Sequence, residues 1–400
     1  VALTATDIAV PLARYARRLH ALAGPRHHVV SPLGAWLLLA LCAPAGEGQD
    51  DTALNATLGC RPGAAAELAA SLLADPHPLV PAAAAVWHQE QVSGTLARWL
   101  AGLPPQVQTG PLTTQAELDS WARRHTLGLI DRFPIDDPSV HLLVATVLAT
   151  RVSWQRPFDL APAAALGPSS PWAGRLGEVL RTPDGPGHEQ FVAATETAGD
   201  VAVHTALARG GLRVTSVAGA PGVAAGDVLA AAYDLAPALA TGGQVARRSL
   251  FNLPLGDSPL WAISERTAPI KSGAAREERC AAVLPAWSAR SQLDLTDPSL
   301  GFAAAAHALS PGDPWQARQA AMARYSRTGF EAAAVSGVAV AMAMRPAALG
   351  LVRTAELRFG HPYAVVAVTV DSPGRGDSGP WHGLPVFSAW VADPEDASEA

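Results

Sequence analysis

The chain has 400 residues, of which 49% are hydrophobic and 16% charged, and its mean hydropathy is +0.16. That is enough apolar material for a large core and too much for a disordered chain. Thirty-five acidic residues against 29 basic ones leave a net charge of −6, which gives no basic face for nucleic acid. Cys42, Cys60 and Cys280 are odd in number and lack metal-ligand spacing, so they read as buried free thiols rather than a disulfide framework or a zinc site. The most apolar run, Ala35 to Pro44, is far shorter than the roughly 20 residues of a membrane-spanning helix. Val1 opens the chain with no signal-peptide pattern and no initiator Met, which leaves cytoplasm and secretion both open. Lysine occurs once, at Lys271, and with the arginine, alanine and proline excess this suggests a high-GC bacterial coding bias.

In chain order, Thr6 to Leu22 carries apolar residues at helical spacing, with Gly24 as a stop. His28-Val-Val then reads as a short strand running into a buried helix, Ser31 standing as N-cap and Pro32 in the first turn. Gly46 to Leu58 and Ala64 to Ala74 are predicted helices, and Ala82 to Trp87 a strand. Leu118 to Ile130 is amphipathic, with Gly128 near its end. His141 to Thr150 is a continuous apolar, β-branched run, as expected of a central strand. From Ala161 to about Ala275 glycine and proline punctuate short strands such as Gly211 to Val217, with no linker-like break and no internal repeat. Ala282 to Leu295 is strand-like and holds Trp287, Pro298 to Leu309 is helical, and Trp315 to Arg324 leads into Gly329 to Met344.

That last stretch has no charge between Glu331 and Arg345 and no proline before Pro346, and small or β-branched residues fill it. At period two Phe330, Ala332, Ala334, Ser336, Val338, Val340 and Met342 share one face. It reads as a buried strand or an alanine-rich core helix. Phe359 to Val370 and Leu384 to Val391 close the chain as a hairpin around a glycine- and proline-rich loop, 372–383.

These pieces, in this order, resemble the serpin family. HHVVSPLGAWLLLAL looks like its strand 6B and helix B; LDSWARRHTLGLI, with Trp121, Thr126, Gly128 and Ile130, like its helix F; LLVATVLATRVSWQRPFD like its strand 3A, ending in the breach tryptophan, Trp154. LPAWSARSQLDL resembles strand 6A, TGFEAAAVSGV the reactive-loop hinge, and FGHPYAVVAV with LPVFSAWVADP the paired C-terminal strands. The resemblance implies an α+β serpin fold: one domain over 1–400, three β-sheets, about eight or nine helices, an exposed reactive-centre loop at about 329–356 and a C-terminal hairpin at 359–391. It implies a monomeric suicide-substrate inhibitor of a serine protease, not an enzyme, with no cofactor or metal. Cleavage of the loop would let 329–342 insert as a new strand in sheet A.

Residue by residue, the hinge maps onto Gly329, Phe330, Glu331, Ala332, Ala333 and Ala334, and the shutter onto Ser31, Thr146 and Gln319, the last two either hydrogen-bonded to each other or separately satisfied as core polar groups. Phe330 stands where the family has threonine, with an expected overpacking cost of about 1–3 kcal/mol. The family's glutamate-lysine pair at the breach is replaced by Arg327 and Ala286. Counting the usual loop length forward from Gly329 gives a reactive bond at Ala343-Met344; counting back from Phe359 gives Leu351-Val352, eight residues on (351 minus 343). Ala343 would suit elastase-like or subtilisin-like proteases and Arg345 trypsin-like ones, although Pro346 disfavours cleavage after Arg345.

Two rivals remain. One is a serpin fold serving as a non-inhibitory binding or structural protein. The other is a serine protease using Gly-Asp-Ser378-Gly-Pro, for which the alanine-rich setting of His307 supplies no proper base. Gly374-x-Gly376-x-x-Gly379 is followed by Pro380 where a helix should begin, so no phosphate cradle is expected.

Overall fold

A computed structural model describes residues 3–46, 51–92, 94–133, 141–270, 275–309, 311–312, 315–330, 349–370 and 379–398. Among them are eight α-helices: α1 (Ala5–Ala23), α2 (Pro32–Cys42), α3 (Asp51–Leu58), α4 (Pro62–Ala74), α5 (Gly94–Ala101), α6 (Gln115–His125), α7 (Ala225–Ala240) and α8 (Phe302–Leu309). Every residue of α2 is buried. A helix apolar all round has no face to offer water, so it lies at the centre of the molecule. Ser31 caps it as anticipated, its Oγ accepting from the Gly34 N–H at 3.3 Å, and Pro32 needs no N–H partner in the first turn. α6 opens on a reciprocal cap between Thr114 and Glu117 and ends where Leu127 and Gly128 turn to positive φ.

The strands form a seven-stranded sheet in the order β1 (His28–Val30), β20 (Pro385–Val391), β19 (Tyr363–Thr369), β10 (Leu212–Ala218), β9 (Gly199–Ala208), β8 (His188–Thr195), β11 (Arg247–Arg248). A six-stranded sheet runs β12 (Gly256–Asp257), β13 (Trp261–Pro269), β18 (Leu349–Arg358), β14 (Arg276–Leu284), β7 (Glu178–Arg181), β6 (Asp159–Pro162). Four strands, β15 (Trp287–Asp294), β16 (Arg318–Tyr325), β17 (Gly329–Phe330) and β5 (Val152–Ser153), make a third sheet, and β3 (Val107–Pro111), β2 (Ala82–His88) and β4 (Leu142–Leu148) a fourth. Every residue of β19 and β20 is buried, as two continuous apolar runs demand.

Three expectations change. The single central sheet is described in two parts, because no backbone pair joins β4 to β16 among the described residues. Of the span expected as loop, 329–356, both ends are strand: Gly329 and Phe330 belong to β17, and 349–356 lie within β18, whose ladders to β13 and β14 recruit them. The weakly patterned middle contains α7, hidden because alanine at so many positions blurs the 3.6-residue period.

α1, α7, β1 and β20 are tied together by a buried polar chain. Tyr233 donates to Ser388 Oγ (2.7 Å), Ser388 Oγ meets His20 Nε2 (2.7 Å), His20 Nδ1 meets His28 Nε2 (2.6 Å), and His28 Nδ1 donates to the Arg26 carbonyl (2.7 Å). Burial holds both imidazoles below the ordinary histidine value, so they are neutral and the chain runs in one donor direction.

Candidate functional site

The site lies where β5, β16 and β17 meet and continues toward the start of α2, to which side chains of both β4 and β16 bond, leaving a seam between those strands that no backbone pair bridges among the described residues. At its top a Ser-Arg-Thr-Gly turn, Ser326 to Gly329, reverses the chain. Ser326 Oγ and N both donate to the Gly329 carbonyl (3.1 and 2.9 Å). Trp154 fixes this turn from two directions, its indole Nε1 donating to the Ser326 carbonyl and its backbone N–H to that of Thr328, both at 3.0 Å. Arg327 pairs through its backbone and side chain with Phe158: its carbonyl accepts from Phe158 N (3.0 Å) and its Nε donates to Phe158 O (3.1 Å). Ala286 bridges to Glu395. Neither position carries the ion pair of the serpin breach, and backbone bonds occupy both.

The turn delivers Gly329 opposite Ser153, and Phe330 opposite Val152 on one side and Tyr325 on the other. Phe330 is 2% exposed, its ring meeting Trp287 edge-on at 6.3 Å. Val29, Val365, Phe387 and Ala389 line the apolar seat in which the ring lies. Under the turn, Phe158 packs on Trp154, Tyr325 and a stacked histidine pair, His188 and His204. His188 Nε2 donates to the Arg156 carbonyl (2.8 Å), so its Nδ1 accepts from His204 Nε2 (3.1 Å), and His204 Nδ1 has no partner among the described residues. Burial pushes His188 down to about 4 and His204 well below its ordinary value. Sequence offers no sign of this cluster, because its members meet only through strand pairing.

Lower down, the seam is pinned to the start of α2. The Gln319 amide grips the Ser31 backbone twice, Nε2 donating to its carbonyl (2.7 Å) and Oε1 accepting from its N–H (3.0 Å). Ser31 Oγ donates to Val386 O (2.9 Å), and Thr146 Oγ1 to Gly34 O (2.7 Å). The expected Thr146–Gln319 bond is therefore not formed. Both side chains are consumed by the backbone of one helix turn, which lies beneath the two strand margins.

Glu331, Ala332, Ala333, Ala334, Ala343, Met344, Arg345 and Ser378 lie outside the described residues. His307 sits in α8. Among the described residues no cluster of histidine, cysteine, aspartate or glutamate could hold a metal, and no helix is long and apolar enough to cross a membrane.

No sequence family and no characterised protein sequence matches the chain. Solved structures do. The cleaved form of Serpin 42Da is similar over 99% of both chains at a TM-score of 0.64 and 14% identity. Tengpin, a thermophilic serpin in its native state, matches 98% of this chain and 93% of its own at 0.63 and 12%. Human thyroxine-binding globulin complexed with thyroxine matches 98% and 100% at 0.64 and 13%. At such identities the likeness establishes the fold, and the chain has the serpin fold.

Proposed function

We propose that this serpin-fold chain inhibits serine proteases as a suicide substrate. Cleavage within 331–348, near Ala343-Met344, would acylate the protease serine, and 331–342 would then enter the seam between β4 and β16 before the ester is hydrolysed. The observation that carries this reading is β17: Phe330 is already paired on both sides, and Gly329 on one, at the top of a seam that no backbone pair bridges further down among the described residues.

Continuing the register of Phe330 against Val152 and Tyr325 brings Ser336 opposite Thr146 (330 + 152 = 336 + 146) and opposite Gln319 (330 + 325 = 336 + 319). Ser336 is the one polar residue between Glu331 and Arg345, and it would meet the two polar side chains of the seam. Such a strand gives each backbone N–H and C=O a partner, about 1 kcal/mol net per bond, which supports insertion as the downhill direction. Twelve residues span roughly 40 Å at ~3.3 Å each, enough to carry a tethered protease far from where it bound. Leu351-Val352, the bond reached by counting back, is enclosed in β18, which favours the forward count.

Incubation with elastase, subtilisin and trypsin, followed by denaturing gels, is expected to give an SDS-stable complex. Cleavage within 331–348 without any complex would overturn the inhibitory reading. A second reading, a non-inhibitory carrier of a small molecule, is favoured by a cleft of about 290 Å³ between α1 and α7 lined by Arg14, Arg17, Tyr233 and Asp234. Thyroxine, bound by one similar protein, is the first probe for it; saturable fluorescence quenching with no protease complex would favour this second reading.

A further inference from the structure

A cavity of about 370 Å³ opens among α2, α4, α5 and α8, with Leu41, Pro44, Ala66, Leu103 and Ala308 as apolar walls. That volume falls within the roughly 300–1,000 Å³ of small-molecule sites. From α5 and the turn that ends it come Thr95, Arg98, Trp99 and Gly102, which share one stripe at helical spacing. Trp99 is buried and Arg98 exposed, so the stripe runs from an apolar floor to a charged mouth. The walls are held in place before any ligand arrives. Trp99 Nε1 donates to the Leu41 carbonyl (2.7 Å) and fixes the indole across the gap between α5 and α2. The Gly102 N–H is shared between the carbonyls of Arg98 and Trp99 (3.2 and 3.0 Å), and Val107 N donates to Pro104 O (2.9 Å), so the turn after α5 is closed by its own backbone. A preformed site spares a ligand the cost of ordering it.

Charge selects what fits. Arg98 is the one charged side chain among the described residues that line the cavity. Its Nη2 donates to Thr95 Oγ1 at 3.3 Å, and it forms no ion pair among the described residues. A guanidinium carries five N–H donors in a planar fork, so most of them stay free for a carboxylate, whose two oxygens the fork matches. Behind that cation the walls offer carbon. A second charge on the ligand would be pressed against apolar surface without a partner, and a neutral head group would leave the fork unmatched.

We propose that this cavity binds a monocarboxylate with an extended apolar body, of the medium-chain fatty-acid kind. The carboxylate sits on Arg98 and the Thr95 hydroxyl, and the chain runs inward along Trp99 toward Leu41 and Ala308. The site shares no residue with the cleft between α1 and α7, and it does not depend on strand insertion.

Isothermal titration of the full chain with decanoate, decanol and decylammonium, each below its micelle concentration, tests the assignment. Wild type is expected to take up decanoate saturably at one site, with a rise in melting temperature. Decanol is expected to bind at least about tenfold more weakly, and decylammonium not at all. Arg98→Gln is expected to lose about tenfold in affinity for decanoate and to hold decanol as wild type does. Ala308→Phe, which fills the cavity, is expected to bind neither. If Ala308→Phe does not fold, Ala66→Phe on the α4 wall decides. Equal affinities for decanoate and decanol, or for decanoate in wild type and Arg98→Gln, would overturn the carboxylate assignment. Decanoate uptake that survives the filled cavity, or no saturable uptake in wild type, would overturn the site itself.

Discussion

Phe330 meets Trp287 edge-on at 6.3 Å, inside a sheet that the rest of its segment would have to join. The ring anchors the top of the seam through apolar contacts with the seven-stranded sheet behind it. Replacing it with alanine in the uncut protein is expected to cost about 3 kcal/mol in urea unfolding, because an aromatic side chain leaves a void in a packed seat. Unchanged stability would show that the ring contributes nothing there.

Gln319→Ala would leave the buried N–H of Ser31 unpartnered and take one of two donors from its carbonyl, which Ala35 N–H still reaches at 3.1 Å, at about 1–3 kcal/mol, while Thr146→Val removes one donor to Gly34 O at about 1 kcal/mol. The two changes bear on the same helix turn. Their double-mutant cycle is expected to show a coupling above about 0.5 kcal/mol, where independent sites would add.

Stability should fall on mild acidification. Burial lowers His188 from 6.5 to about 4, so between those values the unfolded chain takes up a proton that the folded chain refuses. The contribution is complete above about pH 6.5 and is lost as the pH falls toward 4, on the order of 3 kcal/mol for this one group. His20, His28 and His204 act in the same direction. His188→Gln can keep both hydrogen bonds without titrating, and urea midpoints across this range are expected to fall less steeply in it than in wild type.

Ser336→Arg tests the proposed register. A cation carried to the buried polar centre between Thr146 and Gln319 would block insertion there. Protease-cut wild type is expected to melt well above the uncut protein, and the cut variant to lose that gain. An undiminished gain would place Ser336 elsewhere.

Much of this architecture is legible in the amino-acid order because it is local. Ser31-Pro32 announces a capped helix, Leu118 and Trp121 share one helical face, and the apolar runs that became β4, β19 and β20 are long enough to read as buried strands. What escaped was decided by distant backbone. Thr146 and Gln319 were identified as facing polar groups, yet their partner is main chain in α2, which carries no residue-type signature. Likewise Leu349 to Glu356 reads as loop until β13 and β14 are beside it.

The attachment of both seam margins to Ser31–Gly34 has a mechanical consequence. Two plates resting on one fulcrum cannot part by a rigid slide: β16 must let go of Ser31, or β4 of Gly34, or the start of α2 must tilt with one of them. In the proposed insertion, whichever bond yields first would set the direction of opening, and a single turn of helix would meter its speed.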